Sequence, residues 1–188
     1  EITERDWSSD VCSSDLHDND LTPDTDSVDA LVESWRRADP SLDVSTVGIV
    51  SRLGRIRAHL ESSMNEVLAE HGLTAGDFAA LSILRRAGED GAPMSRLADG
   101  LALTGGTVTT RVRRLVGAGF AHVARSTADA RVHRVVLTEL GRERFDAAAP
   151  AHLENQRRQL KALDPTEQAQ LAVLLRRLLA SLEHDHLD

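Results

Sequence analysis

Residues 103–141 read LTGGTVTTRVRRLVGAGFAHVARSTADARVHRVVLTELG, and the reading of this stretch decides the fold. Val108, Val112, Leu115 and Val116 recur at spacings of three and four, which predicts a helix over about 105–118 with one buried apolar face. Thr104, Thr107, Thr110, Arg111 and Arg114 fall on the opposite face. Gly117-Ala118-Gly119 ends the helix. Two strand-like runs follow, 121–125 and 132–137, separated by polar residues 126–131, and together they predict a hairpin. Thr138 is placed to cap the next helix.

Working upstream, Met94, Leu97 and Leu101 predict a short helix over 94–102, joined to the first by the tight turn Leu103-Thr104-Gly105-Gly106. Two short helices so connected make a helix-turn-helix. A loop is expected over 88–93. Before it lies a helix over 75–87, capped by Thr74 and burying Phe78, Leu81 and Leu84. A long helix over 44–71 carries Val47, Val50, Leu53, Ile56, Leu60, Met64 and Leu68 on one stripe and stops at Gly72. A shorter one over 26–38 groups Val28, Leu31, Val32 and Trp35. Downstream, helices are expected over 138–163 and 165–184, the last with a stripe of Leu171, Leu174, Leu175, Leu178 and Leu182.

The expected fold is therefore mainly α with a small β-hairpin wing: a winged helix-turn-helix flanked by N- and C-terminal helices. Those flanking helices carry more apolar surface than a small central domain can cover, so pairing with a second copy is the expected use of it. The expected organisation is a leader over 1–16, an acidic arm over 17–26, N-terminal helices over 27–72, a winged helix-turn-helix domain over 73–141, and C-terminal dimerisation helices over 142–188.

The formal charge is -8 over 188 residues, which looks wrong for a nucleic-acid binder, but its distribution matters more than its sum. Residues 1–34 hold 11 acids and one base, whereas 94–138 hold seven Arg and two Asp. A local basic patch is what phosphate contact requires. Aromatic residues are only 3% of the chain, so the core must be aliphatic. The single cysteine, Cys12, excludes a disulfide framework and a Cys-rich zinc site. Residues 1–16 have neither helical nor strand periodicity; they resemble translated sequencing-adapter sequence, with a disordered tail as the alternative. No apolar secretory signal or membrane span is evident, which points to a cytoplasmic, nucleoid-associated protein.

Threonine and arginine on the exposed face of 105–118 can hydrogen-bond base edges and phosphates in a major groove. Gly105 and Gly106 cost roughly 1 kcal/mol each in helix propensity, tolerable at a helix start where the backbone must approach DNA closely. The DNA-contacting candidates are thus Thr104, Gly106, Thr107, Thr110, Arg111 and Arg114, with a solvated polar face as the plain alternative. Asp129 and Arg131 at the hairpin tip extend the set: Arg131 can enter a minor groove, and Asp129 can hold its guanidinium or fix the turn.

Asp129-Ala130-Arg131, five residues, then Leu137-Thr138-Glu139-Leu140-Gly141 resembles the signature of the MarR family: Asp-x-Arg, five residues, Leu-Thr-x-x-Gly. The resemblance covers about residues 28–186. It implies a homodimer with two winged-helix lobes on a double-stranded, pseudo-palindromic operator with half-sites about one helical turn apart. It further implies a repressor released by a small aromatic or anionic ligand.

The stretch from Asp29 to Val44, with Trp35 and a Pro40-x-Leu42-Asp43 turn, resembles the PecS-like, urate-responsive branch. That branch implies a ligand site of a tryptophan, an Asp on the helix before the helix-turn-helix, an Arg on the recognition helix and an Arg in the first wing strand. Trp35 and Arg111 match. Ala79 stands at the acidic position and Val123 at the wing position, both without charge, while Asp77 is expected to face elsewhere on its helix. The expectation is an altered or lost purine response, with a packing role for Trp35 as the alternative.

Other candidates are weaker. His184-x-His186 lacks the carboxylate or cysteine cluster of a metal site, so no metal and no cofactor is expected. Arg85 and Arg86 suit a helix C-terminus, where the dipole favours cations. His122 and His133 flank the wing. An enzyme is not expected, since phosphate loop, nucleophile elbow and paired His/carboxylate cluster are all missing. The competing reading is a winged-helix protein-interaction module without DNA binding, which would have no use for Thr107, Arg111, Arg114 and Arg131 on two DNA-facing elements.

Overall fold

A computed structural model describes residues 25–125 and 133–185, and two compact units divide the chain between Arg57 and Ala58. In the first unit, α1 spans Ser27–Ala38. Its cap is Asp26, whose carboxylate accepts from the Val28 and Asp29 amides while Asp29 accepts from the Asp26 amide, a reciprocal capping box. Arg52 then ties both acids together, at 2.7 Å from each. It stands on α2, Val47–Glu70, which starts later than position 44 because Asp43 accepts from the Ser45 amide and holds a turn there. Val28 and Val44 are buried, whereas Ile49, Val50, Leu53 and Ile56 are exposed.

The second unit holds the end of α2, then α3 (Ala75–Ala87), β1 (Ala92–Pro93), α4 (Met94–Leu101), α5 (Gly105–Gly117), β2 (Ala121–Arg125), β3 (His133–Leu137), α6 (Glu139–Gln159) and α7 (Pro165–Asp185). The expected fold class holds: helices around a small antiparallel sheet, in the order β1-β3-β2. Strand β1 was expected as loop. Ala92 pairs with Val135 and Pro93 with Arg134, and the Arg134 guanidinium donates to the Asp90 and Gly91 carbonyls at 2.7 Å each. Pro93 is tolerated because β1 is an edge strand. A two-residue strand is too short to show alternation, which is why periodicity missed it.

Leu68, Leu81, Leu84, Leu97, Val108, Leu115 and Val135 form the centre of the core, each almost fully buried. Val116 does not join them and stays exposed. The helix expected over 138–163 stops at Gln159. Asp164 then caps α7 by accepting from the Thr166 and Glu167 amides, while Glu167 accepts from the Asp164 amide, and Pro165 occupies the first helical position. Along α7 the predicted leucine stripe is exposed throughout. Among the described residues, no helix is long and apolar enough to cross a membrane.

The signature residues 137–141 form a packing joint. Thr138 accepts from the Gly141 amide at 3.0 Å, donates to the Gly119 carbonyl at 2.6 Å, and its own amide donates to the Phe120 carbonyl. Gly141 lies so close to that carbonyl that any Cβ would collide with it. One Thr and one Gly thus lock the start of α6 to the turn that follows α5.

Candidate nucleic-acid interface

Helix α5 is held by Val108, Val112 and Leu115, each at most 5% exposed. Ala102 in the left-handed region turns the chain out of α4, and Leu103 donates back to the Ala98 carbonyl. Thr104, Gly106, Thr107, Thr110, Arg111 and Arg114 then line one open groove of about 550 Å³. The structure therefore brings together all six candidates on this helix. The Thr104 and Thr107 hydroxyls stand 3.0 Å apart, and Thr109 and Thr110 donate to the Gly105 and Gly106 carbonyls one turn back. Asp129 and Arg131 lie outside the described residues.

The two arginines are not free in this groove. Asp77, at the third position of α3 and only 2% exposed, accepts from the Thr74 amide and hydroxyl at 3.1 and 2.7 Å. Arg114 forms an ion pair and hydrogen bond with the same carboxylate. Arg111 Nη1 stands 3.6 Å from its other oxygen, Oδ1, and 3.4 Å from Thr74 Oγ1. Burial pushes the Asp77 carboxyl up, but its hydrogen bonds with Thr74 and the Arg114 guanidinium outweigh that, and its pKa falls below the ordinary value. The Arg111 guanidinium lies against the backbone of Gly76, where a Cβ would strike it.

Asp77 was expected to face elsewhere on its helix than Ala79, and the direction it takes is toward Arg111 and Arg114. At the third position of a helix the side chain points back toward the N-terminus, which is where α5 crosses α3. The signal was present in the sequence: Thr74-x-x-Asp77 has capping-box spacing, which fixes the acid at the helix mouth. Ala79 is half-buried on α3, Val123 is half exposed on β2, and Trp35 is 46% exposed on α1.

Elsewhere, Arg85 pairs with Asp146 through two hydrogen bonds and so links the last turn of α3 to α6. His122 and His133 are exposed on the wing strands, His133 opposite Arg125. His184 Nδ1 lies 2.6 Å from the Ala180 carbonyl, and among the described residues no group of three metal-ligating side chains exists.

A helix-turn-helix backed by a small antiparallel sheet, with threonines and arginines turned outward on its second helix, is the mark of a winged-helix transcriptional regulator. Residues 73–133 match the MarR family model. The chain is 32% identical over 118 residues to the uncharacterized HTH-type transcriptional regulator YkoM of Bacillus subtilis, covering 63% of this chain and 74% of that one. It is 29% identical over 152 residues to the HTH-type transcriptional regulator PecS of Dickeya dadantii, covering 80% of this chain and 92% of PecS. Its fold matches that of Sco3205, a MarR family transcriptional regulator from Streptomyces coelicolor solved in complex with DNA, with a TM-score of 0.69, 22% identity, and 75% and 93% of the two chains covered. The chain belongs to the MarR family of transcriptional regulators.

Proposed function

We propose that this protein is a homodimeric, sequence-specific repressor that reads a pseudo-palindromic operator and leaves it when a small aromatic or anionic ligand binds. The observation that carries the DNA reading is the α5 face. Six residues able to contact bases or phosphates line one groove, while the valines behind them anchor the helix. In this reading Thr104, Gly106, Thr107 and Thr110 meet base edges and backbone in the major groove, Arg111 and Arg114 supply charge, and Asp129 and Arg131 serve the adjacent minor groove. Residues 73–141 act as the DNA-binding domain.

The dimer reading rests on uncovered apolar stripes. Val50, Leu53 and Ile56 of α2, and Leu171, Leu174, Leu175, Leu178 and Leu182 of α7, are exposed. A second copy of the chain buries such surface at no cost in unsatisfied polar groups. Helices over 27–72 and 142–188 serve this role, and the protein works in the cytoplasm on nucleoid DNA.

The effector reading rests on likeness to PecS and on Trp35 and Arg111. Asp77 supplies the carboxylate that Ala79 lacks, so an acid beside Arg111 is retained. Val123 still leaves the wing position without charge, and the expected effector therefore differs from urate in its anionic group.

Binding to the operator across a salt series tests the DNA reading. Affinity should fall steeply with salt, with a log–log slope of about -0.9 for each phosphate neutralised. Arg114→Ala should weaken binding and make that slope shallower by about 1. A salt-independent affinity would refute phosphate contact.

A further inference from the structure

We infer that Asp77 is an internal competitor of DNA, holding Arg111 and Arg114 in the free protein and surrendering them when α5 docks on phosphates. The inference rests on the DNA-facing reading of those two arginines. A carboxylate and a phosphate are interchangeable partners for a guanidinium, because each presents anionic oxygens that accept charge-assisted hydrogen bonds from its N–H groups. The free protein already fills that role with Asp77. Its affinity for DNA is therefore net of breaking two internal contacts.

Three features make Asp77 a competitor rather than a permanent clamp. It does not depend on the arginines: the Thr74 amide and hydroxyl both donate to Oδ2, and the α3 N-terminus favours an anion at this position. Its hold on Arg111 is loose, since Oδ1 makes no hydrogen bond among the described residues and stands 3.6 Å from Nη1. Arg114 keeps half of its side chain in solvent, with 52% exposed, so it can swing to a new anion without unpacking the core. Gly76 completes the device. Only a glycine lets the Arg111 guanidinium lie on the first turn of α3, and what a side chain there would displace is the far end of a flexible residue.

Two substitutions test this in the full-length protein, with operator affinity measured across salt and thermal unfolding measured alongside. Asp77→Asn keeps the size of the side chain and an acceptor for Thr74. It should raise affinity about tenfold, on the operator and on random duplex alike, with little change in salt slope, because the same phosphates are met in both complexes. Asp99→Asn on α4, an equal change of charge, sets the background that this gain must exceed. Gly76→Ala changes no charge, is favoured in a helix, and evicts Arg111 from its seat. It should raise affinity severalfold. Unchanged or weaker binding by folded Asp77→Asn overturns the inference. Should Asp77→Asn fail to fold, unchanged binding by Gly76→Ala overturns it instead. The double variant Arg111→Ala, Arg114→Ala separates the two layers. If it binds like the parent, the DNA-facing reading itself fails; if it binds weakly while Asp77→Asn shows no gain, only the competitor role fails.

Discussion

Val108, Val112 and Leu115 of α5 are at most 5% exposed, whereas Leu171, Leu174, Leu175, Leu178 and Leu182 of α7 are each at least 37% exposed. Both helices carry an apolar stripe at spacings of three and four. The first packs on α3, α4 and the sheet within its own chain, whereas the second stays largely uncovered among the described residues. Burial is thus decided by what the rest of the fold places opposite a stripe, and the stripe alone does not say whether the cover comes from the same chain or another. Helix α5 holds its polar face still, and the exposed stripe of α7 is the surface that a second copy covers in the proposed dimer.

Breaking α7 should have the largest effect. In the proposed dimer, Leu174→Glu with Leu178→Glu puts four acids into one interface and should yield a monomer by sedimentation. A single lobe reads one half-site, so operator affinity should fall by well over tenfold. A dimer that survives both substitutions would place the interface elsewhere. Next in size is α5. Leu115→Ala should cost about 2–5 kcal/mol of stability at every protein concentration. Leu174→Ala, by contrast, should lower the unfolding temperature in a manner that depends on protein concentration, since it acts through association. Equal, concentration-independent losses would erase the distinction between the two helices.

Helix α6 lies between these extremes and sharpens the comparison through pH. His152 packs its ring on Phe78 of α3 at 4.8 Å, and burial lowers its pKa from 6.5. The native state therefore takes up the proton less readily than the unfolded chain. The stability that neutral His152 contributes is complete above about pH 6.5 and is lost as the pH falls below it. The unfolding temperature should drop modestly from pH 7 to pH 5, and His152→Leu should flatten that drop. An unaltered pH dependence in His152→Leu would assign the acid sensitivity to carboxylates.

Much of this was legible in the sequence, for physical reasons. Longer elements announce themselves by period: the seven helices among the described residues and both wing strands stand within a few residues of their expected places. The α5 groove was legible too, because a helix with buried valines must present Thr107, Thr110, Arg111 and Arg114 on its other side. Two things were not. Strand β1 is too short to have a period and exists because Arg134 draws the 90–91 carbonyls to the sheet. The contact of Asp77 with Arg114 spans 37 residues, and nothing local reveals that α5 crosses the mouth of α3. The capping spacing of Thr74 and Asp77 placed the acid at a helix end, but only the tertiary fold says which cations meet it there.

In the proposed function, α5 reads DNA as part of a two-fold dimer. Selecting duplexes bound by the purified protein from a random pool, and sequencing them, tests it most directly. One enriched pseudo-palindrome is expected, with half-sites about one helical turn apart, and Thr107→Ala should alter the preferred bases while leaving the spacing intact. A bound pool with no enriched sequence, or a motif without two-fold symmetry, would contradict it.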